Sequence, residues 1–260
     1  MPSLSMPAIL RRSILLAVAP RVLFIYNDPL APEAVLGDVF SERGFDIDTV
    51  NVVPVDRTSD PASVTPQFPD PTGYDVVVPL GSRWSVYDEQ LRAGWVGAEE
   101  ALIRTAIEAG VGVLGVCFGG QLLAQALGGS ARKAATPELG WYEISTDTTE
   151  LIPEGPWFEW HSDQFTPPPG ATELASTPRA VQAFSYRTAL GLQFHPELNL
   201  PLLDLWLADE KGDSSDIARL DIDVDAMRAR TVVEQDAAAA RLRRLVDGFL
   251  DRVARPAYQS

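Results

Sequence analysis

Val111-Gly112-Val113-Leu114-Gly115-Val116-Cys117-Phe118-Gly119-Gly120-Gln121-Leu122-Leu123 is the stretch whose reading decides the fold. Residues 111–114 form an apolar segment short enough for a buried strand. Gln121 to Leu127 reads as a helix that stops at Gly128-Gly129. A strand that enters a helix through a turn with glycine on both sides of a nucleophilic residue is an elbow. The glycines permit the tight backbone turn, and the side chain between them is held up at the strand's end. Here that side chain is Cys117, the only cysteine in the chain. The first-turn N–H groups and dipole of the following helix favour its thiolate.

Upstream, Val22-Leu23-Phe24-Ile25-Tyr26 is a continuous apolar run, as expected of a strand covered on both faces. Asn27-Asp28-Pro29 breaks it, and a helix follows, with Pro32 near its start and Gly44 just past its end. Phe45 to Val53 alternates, which predicts a strand nearer the sheet edge. Residues 54–72 are rich in Pro, Ser, Thr and Asp and read as a surface loop. Asp75 to Leu80 is a third strand ending at Gly81-Ser82, and Ala98 to Ala109 suits a helix stopped by Gly110. This alternation predicts an α/β fold with a mostly parallel sheet and helices on both faces, its ligands bound at the carboxyl ends of the strands.

Downstream, β-like pieces at Trp141–Ser145, Trp157–Trp160, Thr172–Ala175, Val181–Tyr186 and Ala189–Phe194 predict a small antiparallel extension of that sheet. From Leu200 onward the pattern is helical. Leu242, Leu245, Val246, Phe249 and Leu250 form one apolar stripe, so the last helix should pack on the body. The acids of Asp221-Ile222-Asp223-Val224-Asp225 lack the glycine and glutamate of a calcium loop, because Ala226 and Val232 stand in those places. They are expected to crown the start of that last helix. Residues 1–20 read as a flexible leader and 21–255 as one domain.

Composition narrows the function. The 260 residues carry a formal charge of −15, which leaves no basic stripe to displace counterions from a nucleic acid. One cysteine and two histidines, His161 and His195, supply few ligands for a metal enzyme. No segment approaches the roughly 20 apolar residues that cross a bilayer, so the expectation is a cytoplasmic protein without a membrane partner.

A thiolate nucleophile needs a base for its proton and a third group to orient that base. Gln193-Phe194-His195-Pro196-Glu197 supplies a candidate, since residues two apart in an extended segment point to the same side. Taken alone, His195 reads as a histidine capping a strand before a proline turn. Together, Gly115-Val116-Cys117-Phe118-Gly119-Gly120-Gln121 and Leu192-Gln193-Phe194-His195-Pro196-Glu197 resemble the two catalytic blocks of the class I (triad) glutamine amidotransferases. Trp160-His161-Ser162-Asp163 resembles the family's short motif between them, and Pro79-Leu80-Gly81-Ser82 falls at its oxyanion strand. The resemblance spans roughly residues 21–198.

That resemblance implies a flavodoxin-like three-layer sandwich with C-terminal helices, and a Cys-His-Glu triad of Cys117, His195 and Glu197. It further implies oxyanion donors at Phe118 and at Gly81 or Ser82, with substrate held by Gln121, Ser162 and Asp163. His161 is expected to shape the substrate loop rather than to act as acid or base. No cofactor is implied. The implied substrate is glutamine, with ammonia passed to a separate synthetase, as in stand-alone members named after the amidotransferase part of GMP synthase. A γ-glutamyl peptidase or γ-glutamyl-amine hydrolase, or a catalytically quiet regulatory protein, would share the fold. One departure stands out: the oxyanion block reads Leu80-Gly81-Ser82-Arg83-Trp84-Ser85, with Arg83 where relatives commonly have proline.

Overall fold

The computed structural model describes residues 18–210 and 215–254. The expected leader therefore lies outside the described residues, apart from its last three positions. The chain runs β1 (Arg21–Tyr26), α1 (Ala34–Glu42), β2 (Asp46–Asn51), β3 (Val76–Pro79), α2 (Glu89–Ala93), α3 (Trp95–Glu108), β4 (Gly112–Val116) and α4 (Phe118–Ala126). There follow β5 (Ser130–Glu143), β6 (Ser145–Thr146), β7 (Pro156–Thr166), β8 (Thr172–Ser176), β9 (Val181–Tyr186) and β10 (Ala189–Leu192). Helices α5 (Leu200–Asp209), α6 (Asp216–Arg219) and α7 (Val224–Gly248) come last.

Eight strands form one sheet in the order β2-β1-β3-β4-β10-β9-β8-β6. Every pairing from β2 through β10 is parallel, and those among β10, β9, β8 and β6 are antiparallel. Period-2 alternation decides which helix covers which face. Val22, Phe24, Val76 and Val78 pack with Leu36 and Phe40 of α1 and with Leu242, Leu245 and Val246 of α7. Leu23, Ile25, Val77 and Val113 pack with Ile103 and Ala106 of α3 and with Leu122 and Leu123 of α4. Three layers result, as the apolar runs predict. The stripe on α7 closes one of them, and Asp223 caps that helix by accepting from the Ala226 N–H.

The antiparallel region is larger than its sequence pattern predicts. β5 is 14 residues long and pairs with β7 as a separate two-stranded ribbon. A register shift between Lys133 and Glu138 breaks its alternation, which hid its first half in the sequence. Residues 54–72 form a surface loop as expected, with three single 3₁₀ turns within and just after it. Helix α3 begins at Trp95, three residues before the periodicity shows it.

Two glycines bring the elbow together. A side-chain carbon on Gly119 would collide with the Pro79 carbonyl of β3, and one on Gly120 with the Leu192 carbonyl of β10. The first turn of α4 thus lies directly on the backbones of two strands, an approach open only to glycine. Gly119→Ala is expected to lower unfolding free energy by about 3 kcal/mol or to abolish soluble expression, because backbone atoms cannot yield as side chains do. Urea denaturation of the variant checks this, and an unchanged midpoint would contradict it.

Candidate active site

Strands β1, β3, β4 and β10 are parallel neighbours, so their carboxyl ends meet along one edge of the sheet. Chemistry-bearing residues follow each end: Asn27 and Asp28, Gly81 and Ser82, Cys117, and Gln193 to Glu197. Cys117 has φ 51° and ψ −108°, a left-handed conformation that costs a non-glycine residue free energy. The two-sided packing of α4 holds it there.

The three expected triad residues converge. Glu197 Oε1 lies 2.7 Å from His195 Nδ1, and Cys117, whose thiol points to the Trp160 carbonyl at 3.9 Å, is near enough to the ring to raise its pKa. All three are buried, Cys117 at 5% exposure. The His195–Glu197 pair forms across a turn rather than along an extended strand, because β10 ends at Leu192. The His195 N–H donates to the Phe158 carbonyl of β7 at 2.8 Å, which anchors that turn. Burial opposes a charged imidazole. The nearby Glu197, hydrogen-bonded to the ring, and Cys117 nevertheless hold His195 well above its ordinary value.

The remaining expected residues surround this pair. Among the described residues, the N–H groups of Gly81, Ser82 and Phe118 donate to no protein acceptor, which leaves them open to a ligand oxygen. A side-chain carbon on Gly81 would stand 3.0 Å from His195 Cε1 and 3.9 Å from Cys117 Cβ. Gln121, Ser162, Asp163, Ser82, Cys117 and His195 line one cavity of about 370 Å³. The Asp163 carboxylate is clasped by Ser85 at 2.5 Å and Tyr87 at 2.8 Å, and the Ser162 hydroxyl donates to Asp216. Gln121 Nε2 donates to the Asp163 carbonyl at 3.2 Å, tying the elbow helix to the β7 motif.

Arg83, the unusual residue of the oxyanion block, makes two contacts at once. Its guanidinium pairs with Asp28 at 2.6 Å and with Asp209 at 2.6 Å, so it straps the β1 and β3 loops to the end of α5. Two neighbours of the triad had no signal in the sequence. Trp206 of α5 stacks edge-on against the His195 ring, centroids 4.8 Å apart, and donates its N–H to the Leu30 carbonyl. Gln193 directs its amide at the Cys117 sulfur from 3.9 Å. Both depend on contacts distant in sequence.

His161 lies within strand β7 rather than in the expected loop, in a buried group at the edge of the cavity. Its Nδ1 meets the Asp163 carbonyl at 2.8 Å, and its Nε2 faces Glu138 at 3.2 Å and Glu159 at 3.4 Å. A carbonyl only accepts, so Nδ1 carries the proton of that bond, while Nε2 makes no hydrogen bond to either acid. Burial, with Glu138 and Cys117 nearby, pushes Glu159 well above the carboxylate range, and His195 offsets part of this.

Residues 47–205 match the family model for glutamine amidotransferase class-I. The chain belongs to that family. Over 135 residues this amidotransferase is 36% identical to a protein of Sulfurisphaera tokodaii named as one subunit of the glutamine-hydrolyzing GMP synthase, covering 48% of this chain and 68% of the relative. Its fold superposes on a glutamine amidotransferase from Thermotoga maritima with TM-score 0.76 at 24% identity, over 90% of this chain and 99% of that one. A glutamine amido transferase from Methylobacillus flagellatus gives 0.71 at 21% identity, over 94% and 99%. Among the described residues no helix of the amidotransferase is long and apolar enough to cross a membrane.

Glu159 yields a prediction about stability. Its folded-state pKa is raised, so above the ordinary carboxylate value the unfolded chain releases its proton first, and stability falls as pH rises toward the folded value. Glu159→Gln, a neutral isostere, removes that loss. Its stability relative to the parent, from urea midpoints, should increase between pH 5 and pH 8; a constant difference would contradict the assignment.

Proposed function

We propose that this amidotransferase hydrolyses the side-chain amide of glutamine through a γ-glutamyl thioester on Cys117. The observation that carries this reading is the buried His195 ring, hydrogen-bonded to Glu197 and close enough to the Cys117 sulfur for its pKa to be raised by it. The thiolate attacks the amide carbon, and the carbonyl oxygen becomes an oxyanion received by the N–H groups of Phe118 and of Gly81 or Ser82. His195 gives its proton to the departing nitrogen, the C–N bond breaks, and ammonia leaves. Water then loses a proton to His195 as it attacks the thioester, and glutamate departs from the restored sulfur. Glu197 holds the ring in orientation throughout. Gln121, Ser162 and Asp163 sit where the amino-acid end of the substrate would lie.

The ammonia is passed to a separate synthetase. Support comes from the Sulfurisphaera relative, whose name makes it one component of a glutamine-hydrolysing synthase. A second reading has an observation in its favour. The cavity extends beyond the triad to Trp160, Trp206, Asp209, Glu210 and Asp216, giving room and negative charge for the amine of a γ-glutamyl amine. Comparing glutamine with γ-glutamyl derivatives of a diamine and of an amino acid separates the two. Preference for glutamine supports the first reading, and preference for the diamine derivative supports the second.

Cys117→Ala should abolish turnover of every such substrate while leaving the fold intact by circular dichroism, and residual turnover would remove Cys117 as nucleophile. Glu197→Gln should lower kcat by roughly 10²-fold or more. Because the Glu197 charge helps hold His195 high, the same variant should shift the alkaline limb of the rate profile to lower pH. An unmoved limb would argue against that partnership.

A further inference from the structure

We propose that Asn27, backed by Glu99, is a positioning residue for the oxyanion hole: its amide grips the Leu80 carbonyl and thereby aims the Gly81 N–H at the reacting carbonyl. The inference rests on the oxyanion reading above. Asn27 follows β1 and is fully buried, and so is Glu99 on α3. Asn27 Nδ2 donates to the Leu80 carbonyl at 3.2 Å and to Glu99 Oε1 at 3.3 Å, so both hydrogens of the amide are used. Among the described residues Asn27 is the only hydrogen-bond donor to that carbonyl.

The consequence follows from peptide geometry. The chain has no cis peptide among its described residues, and in a planar trans unit the C=O and the N–H point in opposite directions. Fixing the Leu80 carbonyl toward Asn27 therefore turns the Gly81 N–H away from Asn27, with Gly81 itself set against His195 and Cys117. The Leu80 N–H donates to the Ile25 carbonyl at 3.0 Å, so both polar groups of Leu80 are held and the Leu80–Gly81 peptide has little freedom to rotate.

Glu99 explains why Asn27 stays in place. Burial pushes its carboxyl up to about 8, partly offset by the Asn27 hydrogen bond, so the acid is neutral at physiological pH. A neutral acid still accepts from the Asn27 amide without placing a full negative charge behind an oxyanion. Neither Asn27 Oδ1 nor Glu99 Oε2 has a partner of its own. A purely structural pair would be expected to satisfy such buried atoms, as most do.

The experiment compares Asn27→Ala, Asn27→Asp, Glu99→Leu and Glu99→Gln in glutamine hydrolysis, alkylation of Cys117 by iodoacetamide, and crystal structures. Alkylation needs the nucleophile and its base but builds no oxyanion on a carbonyl carbon. Asn27→Ala should lose roughly 10- to 100-fold in kcat, with KM within about twofold and the alkylation rate unchanged, as for a misaimed oxyanion donor. Asn27→Asp keeps the volume but lacks the amide hydrogens, and it should show the same loss if the alanine variant does not fold. Glu99→Leu should lower kcat several-fold, and Glu99→Gln should restore it.

Wild-type kcat in Asn27→Asp, or an alkylation rate that falls in step with kcat, would overturn the proposal. Should the wild-type protein hydrolyse neither glutamine nor a γ-glutamyl amine, the functional reading fails by itself. The crystal structure of Asn27→Asp then decides this inference separately. A rotated Leu80–Gly81 peptide supports it, and an unmoved one overturns it.

Discussion

The close approach of α4 to the backbones of β3 and β10 is the constraint on which the rest of this structure depends. Because Gly119 meets the Pro79 carbonyl and Gly120 the Leu192 carbonyl, the first turn of the helix lies directly on both strand backbones. The chain between β4 and α4 is thereby forced into one residue of left-handed backbone, and that residue is Cys117. The same contacts bring the ends of β3 and β10 beside the sulfur, and with them Gly81 and His195. Cys117, Gly81 and His195 are placed by one packing event, which is why the strain at Cys117 persists.

Much of the fold was legible because the parallel strands are buried on both faces and leave uninterrupted apolar runs. The runs at Val22 to Tyr26, Asp75 to Leu80 and Val111 to Leu114 mark β1, β3 and β4 to within two residues. The β5–β7 ribbon was only half visible. One side of it faces solvent and its register shifts before Glu138, so neither periodicity nor a continuous run marks its first half. The triad was legible for a different reason. Cys117 lies in a local backbone device with a sequence signature, and the second block places His195 and Glu197 two residues apart. Trp206, Gln193 and Asn27 had no such mark, since their contacts with the site are made across the fold.

Arg83 shows how a departure from the usual pattern is absorbed. A proline after the oxyanion block would stiffen the loop by fixing its own φ. Arginine has no such effect, and here the loop is held from outside. The bidentate pairing with Asp28 and the bond to Asp209 fasten it to two other elements. Asp28 is buried, whereas the guanidinium and Asp209 reach the surface. The inner contact therefore carries most of the restraint, because an exposed ion pair contributes little. The loop's rigidity then rests mainly on the β1 loop that carries Asp28, with α5 adding a weaker outer contact.

The distribution of protons among the buried acids completes the electrostatic picture. Glu99, Glu159 and Glu197 all lie near the sheet's carboxyl edge, and all are removed from water. Burial alone would neutralise each of them. Glu99 meets only a neutral amide, and Glu159 faces a second acid and a shared histidine, so both are pushed toward their protonated forms. Glu197 differs in one respect: it lies 2.7 Å from an imidazole whose pKa is raised. Three carboxylic acids of the same type thus take two roles. The difference follows from what surrounds each acid: Glu159 has Glu138 and Cys117 beside it, and Glu99 only an uncharged amide. A charged Glu159 would draw on the same imidazole that Glu197 holds, since His195 is the one group that favours its ionised form, so keeping it neutral leaves that ring to Glu197 and Cys117.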